Sequence, residues 1–267
     1  MVKLGFISPG DIPKIALVIT DRETNEAVKS SGVDALEVRA DMFSCLDVDY
    51  IKDNVRRRRK TGIPLILTVR NAVAEGGKAN ISDEKKLEIF QACIALVDAV
   101  DIELSSPLLS RVIKLAKRSK RVAIVSSHNF QRTPPQGVLE GIWRKAVKKG
   151  ADIVKIAAYA NAQEDIRRLM LFTLEHRGDR VITMSLGNAG AISRLTFPLA
   201  GSLLIYSYID QPSAPGQIPL KKLQQDLRRY YPAYDKRLEG LPLHRPRSSA
   251  GYLPAGRQGA SALKIYV

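Results

Sequence analysis

The stretch ADIVKIAAYANAQEDIRRLMLFTLEHRGDRVITMSLG, residues 151–187, contains a complete strand–helix–strand unit. Its two ends, residues 151–158 and 181–187, are short apolar runs rich in β-branched side chains, which is typical of buried strands. Between them, residues 161–177 are amphipathic and predict a helix. A strand, a helix and a second strand in this order predict parallel pairing through a crossover connection.

The same alternation continues along most of the chain. Eight strand–helix units in about 230 residues favour a closed α/β barrel, the (β/α)₈ or TIM barrel. An open doubly wound sheet is the alternative, but no GxGxxG loop follows the first strand. Besides the elements above, strands are predicted at residues 14–20, 35–41, 64–70, 99–104, 121–128 and 202–209, and helices at 83–97, 107–120 and 219–231.

The domain organisation follows from where this periodicity stops. We predict a single barrel domain over residues 1–239. Residues 240–267 scatter Pro, Gly, Ser and Arg with little periodicity, which predicts a disordered, low-complexity C-terminal extension. Since such a segment has no core of its own, we expect the barrel to fold without it.

Composition narrows the class of protein. Hydrophobic residues make up 45% and charged residues 26% of 267 residues, so a sizeable core is possible and global disorder is excluded. No run of about 18 apolar residues is present, so no membrane span or membrane partner is predicted. The first residues lack a signal-peptide pattern, and Cys45 and Cys93 match no zinc or redox spacing. These features predict a cytoplasmic protein.

The formal net charge of +15 would suit a nucleic acid, an acidic membrane surface or an anionic small molecule. The densest basic run, residues 56–60, closes a predicted helix, where cations complement the helix dipole. No zinc finger, aromatic RNA platform or basic zipper is present. We therefore predict no nucleic-acid partner and favour an anionic small molecule, with a basic binding protein as the alternative.

Lys155 stands out because it lies in an apolar strand, between Val154 and Ile156. The ordinary interpretation is that its stem reaches water from the strand end. Strand alternation instead places Lys155 with Ile153 and Ala157 on one face. The outer face of a barrel strand packs beneath helices, so we expect the amine to point inward. Burial and nearby arginines should then lower the pKa of Lys155.

Other polar residues fall near the carboxyl ends of predicted strands, where barrel active sites form. Glu37, Arg39 and Asp41 alternate along the second strand; a purely structural ladder of ion pairs is the competing interpretation. Thr68 and Arg70 share a face of the third strand. The same holds for Asp101 and Glu103 on the fourth, and the fifth strand ends with Ser126-Ser127-His128.

A buried lysine, one histidine and several arginines suit imine chemistry. A neutral amine attacks a ketone, and the iminium that forms acidifies the neighbouring carbon. The histidine can move that proton, and arginines can hold a carboxylate. The three histidines of the chain are scattered, so no metal and no cofactor are predicted. The residues alone thus predict a cofactor-free lyase or aldolase acting on an anionic ketone.

Eight short motifs identify a more specific resemblance. They occur in order between about residue 13 and residue 231, and together the chain resembles type I 3-dehydroquinate dehydratases of the shikimate pathway. The motifs are EVRAD (37–41), TVR (68–70), EGG (75–77), SSHNF (126–130), DIVKIA (152–157), ITMSLG (182–187), ISR (192–194) and SAPGQ (213–217).

This resemblance implies a (β/α)₈ barrel, commonly a homodimer, that dehydrates 3-dehydroquinate to 3-dehydroshikimate for aromatic amino acid biosynthesis. It implies that Lys155 forms the imine, that His128 is the acid/base and that Glu75 orients His128. It also implies substrate contacts. Glu37, Arg39 and Arg70 would bind substrate hydroxyls, and Met184 would pack against the ring. Arg194 would hold the carboxylate, and Ser213 and Gln217 would lie on a loop that closes over the pocket.

Two departures from the family pattern accompany the resemblance. Arg70 and Glu75 are five residues apart, whereas four is usual, so the orienting role of Glu75 is less secure. Tyr206 occupies a position in the eighth strand where the family has phenylalanine. A class I aldolase remains the alternative activity, although SSHNF and SAPGQ disfavour it.

Overall fold

The computed structural model describes residues 12–70, 75–77 and 81–234. Within these residues, eight parallel strands alternate with helices along the chain. The strands are β1 (Ile15–Ile19), β2 (Ala35–Arg39), β3 (Leu65–Thr68), β4 (Ala99–Glu103), β5 (Val122–Asn129), β6 (Ile153–Tyr159), β7 (Val181–Leu186) and β8 (Ile205–Ser207). All eight predicted strands are confirmed.

Helices connect these strands on the outside of the sheet. They are α1 (Asn25–Lys29), α2 (Val48–Arg59), α3 (Asp83–Cys93), α4 (Leu109–Arg118), α5 (Gln136–Lys148), α6 (Gln163–Glu175), α7 (Gly187–Gly190), α8 (Ser193–Ala200) and α9 (Leu220–Tyr230). Short 3₁₀ turns follow β2 (Ala40–Met42) and α3 (Ile94–Leu96). The predicted helix over 83–97 is therefore an α-helix that tightens in its last turn.

The strands form a nearly closed barrel. Neighbours pair in the order β7-β6-β5-β4-β3-β2-β1-β8, so the last strand returns to the first. The remaining gap, between β7 and β8, is bridged just before β8, where the Leu203 amide donates to the Val181 carbonyl at 3.0 Å. The barrel prediction is confirmed, and the open doubly wound sheet is wrong.

The predicted C-terminal extension, residues 240–267, lies outside the described residues, so its separation from the barrel remains a prediction. None of the helices that the structure describes is both long enough and apolar enough to cross a bilayer.

Strand alternation divides the apolar residues into two cores. Outward residues such as Leu36, Val38, Val154 and Ile156 pack beneath the helices. Inward residues form a smaller core inside the barrel, which includes Ile153. The expectation that Lys155 points inward, between two outward-facing neighbours, is confirmed.

Inside the barrel, each strand from β2 to β6 places an apolar residue before the first polar one along the chain. In β6, for example, Ile153 precedes Lys155 on the inward face, and in β5 Ile124 precedes Ser126. Because these five strands are parallel, their amino-terminal halves form an apolar floor and their carboxyl-terminal halves form a polar layer above it. The inward residues of this polar layer on β2 to β6 include Glu37, Arg39, Thr68, Asp101, Glu103, Ser126, His128 and Lys155.

Candidate active site

Lys155 is the centre of the polar layer and is only 4% exposed. Its Nζ donates to Asp101 Oδ2 at 2.9 Å and to Glu37 Oε1 at 3.1 Å. The two carboxylates project from β4 and β2, so three strands converge on one ammonium. The ring of Tyr206, on β8, faces the same Nζ with its centroid 4.0 Å away.

The pKa of Lys155 is raised above its ordinary value of 10.5, which corrects the expectation from sequence. Burial acts as expected and lowers the pKa, but the carboxylates of Asp101 and Glu37 outweigh it. Arg70 also lowers the pKa of Lys155, with a smaller effect. The resting enzyme therefore holds Lys155 as an ammonium, because two anions lie within 3.1 Å of it.

A continuous ion-pair network extends from Asp101. Arg70 donates to Asp101 at 3.0 Å and to Ser126 at 2.9 Å, and its Nη1 lies 3.6 Å from Glu103. Glu103 in turn accepts from Lys86 Nζ at 2.6 Å, and both of these side chains are buried. Burial raises the pKa of Asp101, but Arg70 and Lys155 outweigh it and keep that carboxyl ionised.

Arg39 forms a separate buried pair with Asp41. Two hydrogen bonds of 2.9 and 2.6 Å join the guanidinium to the two carboxylate oxygens. Arg39 also donates to the Gly76 carbonyl at 3.3 Å, which ties the EGG segment to β2. Asp41 therefore has the structural role that the sequence left open, whereas Glu37 faces the site.

His128, at the end of β5, is held by Glu75. The carboxylate Oε2 lies 2.9 Å from His128 Nδ1 and also accepts the His128 backbone amide at 2.9 Å. The longer spacing after Arg70 thus does not keep Glu75 from His128; residues 71–74 lie outside the described part of the chain. Phe130 stacks parallel to the imidazole, with ring centroids 6.2 Å apart.

The surroundings of His128 favour the neutral form of its imidazole. Burial lowers the pKa of His128 below its ordinary value of 6.5, and Arg70 lowers it further. The hydrogen bond that His128 donates to Glu75 opposes this shift but does not cancel it. At neutral pH the ring is therefore neutral, and with Nδ1–H directed at Glu75, Nε2 is free to accept a proton.

A pocket lies above the polar layer, at the carboxyl ends of the strands. Nine of the ten predicted site residues line it. They are Glu37, Arg39, Arg70, Glu75, His128, Lys155, Met184, Ser213 and Gln217. Ser213 and Gln217 lie on the loop after β8 and bond to each other, Gln217 Oε1 accepting the Ser213 amide at 2.7 Å.

Arg194 is the tenth predicted residue, and the structure does not place it on the pocket lining. It is 1% exposed at the start of α8, where its Nη1 donates to the Ser185 carbonyl at 2.5 Å. Ser185 lies between Met184 and Leu186, which both line the pocket. Among the described residues, Arg194 Nε and Nη2 have no hydrogen-bond partner. Burial lowers the pKa of Arg194 to about 10.

Two residues near Lys155 were noted in the sequence without a functional role. Asp101 was only predicted to share a strand face with Glu103, yet it is the nearest counter-ion of Lys155. Tyr206 was recognised as a substitution for phenylalanine, yet its position over Nζ was not predicted. Alternation indicates which face such a residue occupies, but not which strand lies opposite.

The fold and this pocket define a (β/α)₈-barrel protein with a buried lysine and a carboxylate-bound histidine at the carboxyl ends of its strands. The family model for "Type I 3-dehydroquinase" matches residues 11–232. The chain belongs to this family. The match covers the whole barrel that the structure describes.

Individual relatives agree with this assignment. The chain is 36% identical over 212 residues to 3-dehydroquinate dehydratase of Hydrogenobaculum sp., a match that covers 79% of this chain and 95% of that protein. The crystal structure of the Aquifex aeolicus enzyme superposes with a TM-score of 0.73 at 34% identity, over 82% of this chain and 99% of that one. The Clostridium difficile enzyme, whose structure was determined with covalently modified comenic acid, gives a TM-score of 0.77 at 28% identity. The match covers 84% of this chain and 95% of that one.

Proposed function

We propose that this protein is a hydro-lyase that dehydrates 3-dehydroquinate to 3-dehydroshikimate through an imine on Lys155, with His128 as the acid/base. Family membership and the names of the relatives support the dehydration itself. The observation that carries the chemistry is a single pocket in which a buried lysine and a half-buried, Glu75-bound histidine both line the wall.

The first step removes a proton from Lys155, because an ammonium has no lone pair with which to attack a ketone. The pKa of Asp101 is lowered by Arg70 and Lys155, so its carboxylate is a poor final acceptor. Neutral His128 is the better acceptor, since its lowered pKa keeps a lone pair available at neutral pH. The proton therefore passes to His128, directly or through water, and leaves Lys155 as a free amine.

The amine adds to the ketone carbon, and the carbonyl electron pair moves to oxygen. A proton shifts from nitrogen to that oxygen, protonated His128 supplies a second one, and water leaves to give an iminium. His128, neutral again, removes a proton from the adjacent carbon, and the electron pair is delocalised into the iminium as an enamine. The enamine then expels the substrate hydroxyl, which receives its proton from His128 and leaves as water, and a conjugated iminium remains on Lys155. A second water adds to the iminium carbon, and the C–N bond breaks to release the ketone product and free Lys155.

Charge balance supports Arg194 as the group that binds the substrate carboxylate. Arg39, Arg70 and Lys155 each have a carboxylate within 3.1 Å. Arg194 has no carboxylate partner among the described residues, and burial alone accounts for its lowered pKa. A buried cation without a counter-ion is stabilised by an incoming anion, and its two unpartnered nitrogens can form a bidentate contact.

Arg194→Ala is expected to raise the Kd and KM for the substrate by roughly 10- to 100-fold, with a smaller effect on kcat. The estimate corresponds to the loss of a charge-assisted hydrogen-bond pair. Arg194→Lys should recover only part of the affinity, because an ammonium cannot reproduce the two-pronged geometry. Steady-state kinetics and calorimetric titration measure both, and unchanged substrate affinity in a folded Arg194→Ala protein would assign the carboxylate to another cation.

The pH dependence of kcat/KM should be a broad bell. The reactive free enzyme holds Lys155 as an ammonium and His128 as a neutral imidazole. Protonation of His128 therefore gives the acid limb, and deprotonation of Lys155 gives the alkaline limb. The pKa of His128 is lowered from 6.5 and that of Lys155 is raised from 10.5, so the plateau should extend beyond both values.

Glu75→Gln tests this assignment of the acid limb. The carboxylate of Glu75 raises the pKa of His128, so its removal should move the acid limb to still lower pH. The alkaline limb should stay in place, since Glu75 is not among the groups that shift Lys155. An acid limb at or above pH 6.5 in the parent enzyme, or one that rises in Glu75→Gln, is incompatible with His128 as the acceptor.

Reduction with sodium borohydride tests the imine directly. The wild-type protein mixed with 3-dehydroquinate and borohydride should gain one ligand-sized mass and lose activity, and peptide mapping should place that mass on Lys155. Protein treated with borohydride alone should gain nothing. Dehydration without a trapped adduct, or an adduct on another lysine, would contradict the proposal.

We further infer a homodimer, as the family resemblance implies. Leu171 and Leu174 of α6 and Leu199 of α8 are 56%, 44% and 62% exposed, and the two helices pack side by side. Adjacent exposed leucines are a candidate surface for self-association. Light scattering of the purified protein measures the molar mass that distinguishes a monomer from a dimer.

Cys45 and Cys93 are both free, which supports the prediction of a reducing, cytoplasmic location.

A further inference from the structure

We propose that the Tyr206 hydroxyl is a substrate-binding group that donates a hydrogen bond to the oxygen on the carbon attacked by Lys155. The inference rests on the proposed function, because it takes Lys155 as the group that reaches the ketone. It adds a specific donor to the substrate contacts that the family resemblance implies for this pocket.

The first observation is that this hydroxyl is buried without a partner. Tyr206 is 2% exposed and lines the pocket, yet its hydroxyl forms no hydrogen bond within the described part of the chain. A buried phenol normally finds a partner, because an unmade hydrogen bond leaves its desolvation uncompensated. The hydroxyl is thus a free donor on a residue that lines the pocket.

The second observation is the position of the ring relative to the nucleophile. Lys155 Nζ lies over the Tyr206 ring, 4.0 Å from its centroid. When Nζ bonds to the ketone carbon, the oxygen on that carbon must lie within a few ångströms of the same ring. The nearby carboxylate oxygen Glu37 Oε1 is already occupied, since it accepts from both Thr68 and Lys155.

The electrostatics of the site make the hydroxyl a donor rather than an anion. Burial raises the pKa of Tyr206 above its ordinary value of 10. Glu37 and Asp101 raise it further, and the opposing effect of Lys155 is too small to reverse the shift. The phenol therefore keeps its proton throughout the neutral pH range, where a ketone or hydroxyl oxygen can accept it.

The size of the effect follows from the substitution itself. The resemblance places phenylalanine at this position, so the chemistry proceeds without the hydroxyl and the hydroxyl contributes to affinity. One neutral hydrogen bond corresponds to roughly a 3- to 10-fold change in Kd. Tyr206→Phe keeps the ring over Lys155 and removes only the oxygen, which makes it a single-atom test.

Two non-covalent ligands separate this contact from any general effect. Quinate carries a hydroxyl at the ketone position, and its deoxy analogue lacks that oxygen. Tyr206→Phe should bind quinate roughly 3- to 10-fold more weakly than the parent protein in calorimetric or competition experiments. Both proteins should bind the deoxy analogue equally. Neither ligand forms an imine, so the result does not depend on whether the borohydride experiment succeeds.

Tyr50→Phe is a matched control. Tyr50 lies on α2, remote from the pocket, and its hydroxyl already bonds to Asp21 at 3.0 Å, so neither Kd should change. Equal affinity of Tyr206→Phe and the parent protein for quinate would overturn the proposal. An equal loss for both ligands would also overturn it, because the hydroxyl would then act on the pocket and not on that oxygen.

Discussion

Lys155→Ala is expected to abolish dehydration, with kcat falling on the order of 10⁴-fold or more. The variant lacks the only nitrogen that the proposed mechanism uses to form the imine, and no water molecule supplies an equivalent electron sink. Product formation, followed by the absorbance of its conjugated double bond, measures the rate. Borohydride in the presence of 3-dehydroquinate should add no mass to this variant.

Loss of the lysine also leaves Asp101 and Glu37 without their shared cation, and breaking such a buried pair costs about 3–5 kcal/mol. Lys155→Arg is therefore the matched control. Arginine keeps the positive charge between the two carboxylates, but its guanidinium does not lose its proton at accessible pH. A folded Lys155→Arg protein should be as inactive as Lys155→Ala. Substantial activity in either variant would remove Lys155 from the mechanism.

His128→Ala is expected to lower kcat by ~10²–10⁴-fold, the usual contribution of one positioned acid/base group. Four proton transfers pass through this imidazole before the product is released in the proposed mechanism, so imine formation and the later elimination should both slow. Borohydride should still trap an adduct on Lys155 after long incubation, because the amine can lose its proton slowly to solvent. Kinetics and intact-mass spectrometry measure the two effects separately.

His176 provides the histidine control for this experiment. His176 is buried and lies at the end of α6, bonded to Glu140 and Asp179 at 2.8 Å each and packed against Trp143. His176→Asn should lower the melting temperature while kcat stays close to that of the parent protein. Near-normal turnover in a folded His128→Ala protein would instead mean that another group is the acid/base, and Glu75 would be the next group to test.

The raised pKa of Lys155 changes how the resting enzyme is understood. A lysine with a lowered pKa would wait as a free amine, whereas this one waits as an ion pair with Asp101 and Glu37. In the proposed mechanism its nucleophile is generated only after substrate arrives, when His128 accepts the proton.

Much of the architecture could be predicted from local sequence. The run from Ile153 to Ala157 alternates between two apolar environments, and strand geometry alone sends Lys155 inward. The repeated placement of an apolar residue before a polar one, as with Ile124 and Ser126, likewise puts the polar layer at the carboxyl ends. These features depend on neighbours a few residues apart, so the sequence by itself determined the barrel and its polar end. The family resemblance added the specific side chains, and nine of its ten site residues line the pocket.

The tertiary structure alone decided the charge state of the nucleophile and the state of Arg194. Glu37 and Asp101 are 118 and 54 residues from Lys155 along the chain, and only closure of the barrel brings them within 3.1 Å. Arg194 is adjacent in sequence to ordinary helix residues, yet folding buries it with no counter-ion among the residues that the structure describes. Electrostatic free energy depends on distances and burial, and neither quantity is encoded in local periodicity.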